Sequence, residues 1–238
     1  MKVVAMNKNR KVNLPFFEIG PKSYLYGDDI LELAKAADEA SARYGVDIIF
    51  TTPVVDIRRI REATEHIHVF APHMDPIYPG RGLADTLPES LVAAGADGVM
   101  LNHCEKPLDF ETLKETIKRA NEVGLTTIVC ADSMSDASKI AELNPDIIVA
   151  EPSELIGTGV SVGKEYVEAA TKSVKDVNPD ILVLTAAGIS NGEDVYNTII
   201  AGADATGSSS GVAKAADRPA MVDEMIAAVR RAYDLRNK

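Results

Sequence analysis

The sequence predicts a single closed (β/α)8 barrel of parallel strands, on three observations. One punctuation device recurs ahead of apolar runs: Gly45-Val46-Asp47, Gly95-Ala96-Asp97, Asn144-Pro145-Asp146, Asn178-Pro179-Asp180 and Gly202-Ala203-Asp204, with Gly124-Leu125-Thr126 as a looser copy. Gly or Asn-Pro ends a helix and β-prone residues follow within two positions, so each copy marks a helix stop and a strand start. Strands near Phe16 to Ile19 and Ile67 to Phe70 lack the device and bring the count to eight. The connections are short and 238 residues suit one barrel, whereas a doubly wound sheet of about six strands would leave units over.

Between the strands, Asp28 to Tyr44, Phe110 to Val123, Lys164 to Val177 and Arg218 to Leu235 carry apolar residues at three- and four-residue spacing. In the first of these, Ile30, Leu33, Ala34 and Ala37 form the inward stripe while Glu32, Lys35, Asp38 and Glu39 face water. These are the expected outer helices, and their charges are solvated faces. Residues 1–14 are expected to be an N-terminal extension and residues 15–238 the barrel.

Composition narrows the function classes. No apolar run approaches the roughly 18 residues of a membrane span. Lys2, Lys8, Arg10 and Lys11 surround an apolar patch too short for a secretory signal, so the chain is expected in the cytoplasm. Cys104 and Cys130 fit no metal spacing and read as free thiols; no metal and no cofactor are expected. A net charge of -11 argues against nucleic acid or an anionic membrane as partner. It would also repel a phosphorylated ligand at long range, so a site for one must supply local positive potential, for which Lys22 and backbone N–H groups are the candidates.

The stretch Ile147-Ile148-Val149-Ala150-Glu151-Pro152-Ser153-Glu154-Leu155-Ile156-Gly157-Thr158-Gly159 is a buried strand that delivers a carboxylate at its end and then breaks into a glycine-hinged loop. Glu151 is placed as a base, and the loop as a lid. Strand four ends in Asn102-His103-Cys104-Glu105, and an imidazole there is where a barrel presents an acid catalyst. A direct Cys104–His103 pair is not expected, because adjacent residues on an extended chain point to opposite sides. Strand seven ends in Thr185-Ala186-Ala187-Gly188-Ile189-Ser190 and strand eight in Thr206-Gly207-Ser208-Ser209-Ser210-Gly211, small residues where the loops after these strands cradle phosphate in many barrels. The longest connection, Pro72 to Leu87, is a functional loop or an interface; His73 within it reads as a polar residue closing a strand.

The string Glu-Pro-Ser-Glu-Leu-Ile-Gly-Thr-Gly resembles the catalytic strand and mobile loop six of triosephosphate isomerases, closer to their archaeal-type form, and the resemblance runs from about Pro15 to the last helix. It implies a TIM barrel with Glu151 as base, His103 as the catalytic imidazole and Lys22 as the electrophilic lysine. It also implies that Gly157, Ser210 and Gly211 donate N–H groups to phosphate, with Gly188 shaping the floor. The implied activity is cofactor-free aldose–ketose isomerisation of a small sugar phosphate through an enediolate, with glyceraldehyde 3-phosphate and dihydroxyacetone phosphate first. A paralogue acting on a tetrulose phosphate and a non-catalytic sugar-phosphate binder are the alternatives. A homodimer or homotetramer is implied through loop three, which here reads Leu83-Ala84-Asp85 in place of the family's Thr-Gly pair.

Strand one departs from the resembled pattern: Gly20 stands where the family carries asparagine. Side chains alternate along a strand, so Glu18, Gly20 and Lys22 are all expected to point into the barrel. The Glu18 carboxylate is then an inward charge needing a partner. It is expected to reach through the space left by Gly20 towards Lys22 and change what the pocket accepts.

Overall fold

A closed ring of eight strands carries the fold. The strands are β1 (Phe16–Ile19), β2 (Asp47–Thr51), β3 (His68–Ala71), β4 (Gly98–Leu101), β5 (Thr126–Ala131), β6 (Ile147–Ala150), β7 (Leu182–Leu184) and β8 (Ala205–Ser208). They pair in sequence order, every pair parallel, and β8 closes on β1 with Phe16 opposite Ala205 and Ile19 opposite Ser208. The computed structural model describes residues 11–155, 158 and 161–238. Around the ring run α1 (Asp28–Tyr44), α2 (Ile57–Ala63), α3 (Pro88–Ala94), α4 (Phe110–Val123), α5 (Met134–Ala141), α6 (Lys164–Lys175), α7 (Gly192–Ile200), the single turn α8 (Ser210–Ala213) and α9 (Arg218–Arg236). Among the described residues no helix is long and apolar enough to cross a membrane.

A parallel barrel buries both faces of each strand, and period-two alternation divides the side chains between them. Phe17, Ile19, Ile48, Phe50, Val69 and Val129 pack outward against the helices. Phe16, Ile49, Phe70, Ile128, Ile147 and Leu184 pack on the axis. Phe70 fills the axis only because β4 opens with Gly98, where an added Cβ would lie 2.3 Å from the Phe70 ring. At the amino end of the strands Val12 packs against this inner cluster, and the Asn13 N–H donates to Asp47 Oδ2 at 2.7 Å. Residues 1–10 of the expected extension lie outside the described residues.

The recurring sequence device has two parts in the structure. Gly45, Gly95, Gly124 and Gly202, and Asn144, take the positive φ that ends a helix. The aspartate then reaches back to the preceding strand: Asp97 Oδ2 accepts from the Val69 N–H at 2.9 Å, Asp146 Oδ2 from the Thr127 N–H at 2.8 Å, and Asp204 Oδ2 from the Val183 N–H at 2.9 Å. Each carboxylate thus pairs a buried backbone donor at the open end of a strand pair and fixes the register of two neighbours. Asp180 differs, since its own N–H is taken by Asn178 Oδ1 at 2.9 Å, turning the chain locally. Helix starts are capped by side chains at Asp109, Ser133, Asn191 and Asp217.

One boundary differs from the sequence reading. α6 stops at Lys175, where Asp176 and Val177 hydrogen-bond back to Lys172 and Val174 as a closing turn. β8 ends in Thr206, Gly207 and Ser208 as expected, their backbone pairing with β1. Loop 72–87 is braced internally: Asp75 Oδ2 accepts from the Thr86 N–H at 2.7 Å, and His73 Nε2 lies 3.1 Å from Asp75 Oδ1. His73 therefore ties the loop rather than closing β3, which ends at Ala71.

Asp97 also pairs with Arg61 Nη1 at 3.0 Å. Asp97→Ala should leave the buried Val69 N–H unpaired and lower unfolding free energy by about 1–3 kcal/mol. Urea unfolding of variant and parent reads this directly; equal midpoints and slopes would contradict the role.

Candidate active site

The carboxyl ends of the strands surround a cavity of about 660 Å3 lined by Glu18, Lys22, His103, Glu151, Gly188 and Ser210, among others. Its chemistry follows from where each strand stops. Glu151 is the first residue past β6, and its N–H still donates to Ala131 O on β5 at 3.1 Å. It keeps the inward parity of Ile147 and Val149, so its carboxyl meets the cavity from a backbone fixed by the sheet. Burial raises its pKa to about 7, opposed by the Lys22 cation and assisted by Asp132 and Glu105.

After β4 the chain turns sharply. Asn102 has φ 58, tolerated because Asn accepts the left-handed region, and its side chain pins the turn. Asn102 Nδ2 donates to Cys130 O at 3.0 Å, while Asn102 Oδ1 accepts from the Leu108 N–H at 2.9 Å. His103 is thereby aimed into the cavity, and its Nδ1 accepts from the Glu105 N–H at 3.1 Å. An accepting Nδ1 requires a neutral ring with its proton on Nε2. Burial, then the Lys22 cation, hold its pKa below the usual imidazole range. The chain is turned and not extended here, so the opposite-side geometry expected of Cys104 and His103 does not hold, and Cys104 Sγ lies 3.7 Å from His103 Nδ1. The thiol is no nucleophile for that: burial pushes its pKa up.

Lys22 also has positive φ, 49, in the turn after β1. Such a strained non-glycine residue is kept only where its surroundings enforce it. The turn carries the ammonium to the β4 loop, where Nζ donates to Glu105 Oε1 at 3.0 Å. This corrects the expectation for Glu18. Its carboxylate does lie inside the barrel beside Gly20, but its hydrogen bond comes from Thr51 Oγ1, at 2.7 Å to Oε1. Thr51 is the inward residue at the end of β2, next to β1, whereas Lys22 is turned away towards Glu105. Burial raises the Glu18 pKa to about 7, with the Thr51 hydroxyl opposing and the Glu151 carboxyl assisting.

On the opposite wall, Gly188 has φ 73, and α8 starts at Ser210. A Cβ on Gly211 would lie 2.6 Å from both Ile189 O and Ser208 Oγ, so glycine there lets α8 pack on the loop after β7. Gly157, and residues 156, 159 and 160 of the expected lid, lie outside the described residues. Thr158 lines the cavity, and Glu154 sits in a short 3-10 turn (Ser153–Leu155). Thr51 and Asn102 were missed by motif reading; the parity that found Glu18 would have found Thr51.

Fold and cavity together define a single-domain (β/α)8 barrel with a carboxyl, an imidazole and an ammonium converging on one cavity at the strand ends. The profile of the Triosephosphate isomerase family matches residues 21–228. A triosephosphate isomerase of Sulfolobus acidocaldarius is 36% identical over 228 residues, covering 94% of this chain and 99% of the relative. Those of Methanothermus fervidus and Methanocaldococcus jannaschii are each 38% identical over 203 residues, covering 84% of this chain and 91% and 92% of the relatives. The chain belongs to the triosephosphate isomerase family.

A carboxyl whose folded pKa is raised costs stability once it must ionise. For Glu18 the cost is absent below the unfolded value of 4.5, grows as pH rises from there, and is complete above about 7. Glu18→Gln should therefore gain stability relative to the parent as pH rises from 5 to 8, by up to roughly 3 kcal/mol. Urea unfolding at both pH values checks this; a difference that does not grow with pH would show that Glu18 ionises freely.

Proposed function

We propose that this protein interconverts an aldose phosphate and its ketose phosphate by moving a proton between adjacent carbons, with glyceraldehyde 3-phosphate and dihydroxyacetone phosphate as the first pair. The observation that carries the reading is Glu151: a carboxyl fixed by the sheet, facing the cavity, with a pKa of about 7. A base poised there can take a proton near neutral pH and give it back, which isomerisation requires.

The other groups divide the work. His103, neutral and protonated on Nε2, donates to the carbonyl oxygen as it gains charge, and exchanges that proton between the two oxygens of the enediolate. A neutral imidazole beside a glutamate base is the arrangement already described for triosephosphate isomerases. Lys22 offsets the negative charge developing on oxygen, in a cavity where low dielectric strengthens each contact. The phosphate sits against the loops after β7 and β8, where Gly188, Ser210 and Gly211 line the cavity and their backbone N–H groups are the donors. The family names carried by the relatives favour turnover over simple binding of a sugar phosphate. We place the protein in the cytoplasm as a homodimer or homotetramer assembled through loop 72–87, whose Leu83 is fully exposed.

Glu151→Gln should lower kcat for triose phosphate by about a hundredfold or more while retaining 2-phosphoglycolate binding. Glu154→Gln, altering an exposed residue outside the cavity lining, should stay within about threefold. A coupled assay run on both variants decides it. The reading fails if Glu154→Gln does the greater damage, or if the parent binds 2-phosphoglycolate tightly and turns over no sugar phosphate.

A further inference from the structure

β1 brings into the cavity a carboxyl that the proton transfer does not use. Glu18 is 7% exposed, and two glycines make its place. A Cβ on Gly20 would lie 2.8 Å from Glu18 Oε1, and one on Gly207 would lie 2.9 Å from Glu18 Cβ and 3.1 Å from Oε2. Any other residue at either position would have to displace the side chain. Thr51 Oγ1 holds Oε1 at 2.7 Å, and among the described residues Oε2 has no hydrogen-bond partner. Lys22 is engaged with Glu105.

Buried polar groups left unpaired are costly, and in a cavity they are positions a ligand can satisfy. A triose phosphate has little left to offer them. Its two reacting oxygens go to His103 and Lys22, its reacting carbons to Glu151, and its phosphate to the loops after β7 and β8. One more hydroxyl-bearing carbon between reacting carbons and phosphate supplies the missing group. A sugar hydroxyl can donate to a carboxylate or accept from a carboxylic acid, so it suits Glu18 in either protonation state.

We infer that Glu18, held by Thr51 in the gap between Gly20 and Gly207, forms a hydroxyl-reading subsite through which the site also takes a four-carbon ketose or aldose phosphate beside the triose pair. The inference rests on the isomerase reading and extends it. The chemistry is unchanged: one C–H bond breaks on the hydroxylated carbon, one forms on the neighbouring carbonyl carbon, and the molecule is neither oxidised nor reduced overall. Glu18 is a specificity residue in this scheme, and Glu151 remains the base.

Two acid phosphates of equal length test it by calorimetry. 3-Phosphoglycerate carries the extra hydroxyl; 3-phosphooxypropionate lacks it. The parent should bind the preferred enantiomer of the first about tenfold to a hundredfold more tightly, the value of a hydrogen bond to a charged group. Glu18→Leu should bring that ratio to about one, and Glu18→Gln, which keeps shape and hydrogen bonding, should restore most of it. A ratio near one in the parent overturns the inference without needing any variant, as does a ratio that Glu18→Leu leaves intact. Turnover of triose and tetrulose phosphates is measured alongside: tetrulose turnover that Glu18→Leu lowers more than it lowers triose turnover supports the inference, and turnover of the triose alone overturns the four-carbon assignment. No turnover of either with the binding ratio intact overturns the isomerase reading and leaves the hydroxyl subsite standing.

Discussion

Each strand of this barrel is buried on both faces, so an alternate residue can face only the helices or the axis. That constraint decides the site as well as the core. Ile147 and Val149 pack on the axis, and the same parity aims Glu151 into the cavity once β6 has ended. Phe16 packs on the axis, and the same parity leaves Glu18 no exit to solvent. A charge forced inward must be accommodated: Gly20 and Gly207 leave it space, Thr51 donates to it, and burial raises its pKa.

The cavity's electrostatics follow from the same geometry. Glu18 and Glu151 both have pKa values of about 7, and in each case burial is the largest cause. Lys22 is the cation that pulls against burial at both, and its left-handed turn is what brings it over the cavity. Glu105 holds that ammonium through its side chain and donates its N–H to His103 Nδ1, so one residue of the β4 loop orients two others.

The barrel was legible because its signals are local. Glycines that end helices, β-prone runs and the three- and four-residue stripes of α1 and α4 each specify a nearby element, and those two helices fall on the expected residues. What Asp97, Asp146 and Asp204 do was hidden, since their partners are 28, 19 and 21 residues away and only barrel closure brings them together. Parity placed Glu18 inside but could not choose its partner. Lys22 is two residues from Gly20, and Thr51, 33 residues from Glu18, wins because a backbone turn swings the nearer lysine away. The Cys104–His103 contact is hidden for a related reason: the positive φ of Asn102 is a property of the turn after β4, which no local pattern marks.

The central claim is that burial at the strand ends holds Glu18 and Glu151 protonatable near neutrality, opposed only in part by Thr51 and Lys22. Carbon-13 NMR titration of side-chain-labelled glutamate reads it most directly, with Glu151→Gln and Glu18→Gln proteins assigning the resonances. Two carboxyls titrating near pH 7, each lost in its own variant, are the predicted result. If every glutamate titrates in the ordinary range of about 4 to 5, the account of this cavity is wrong.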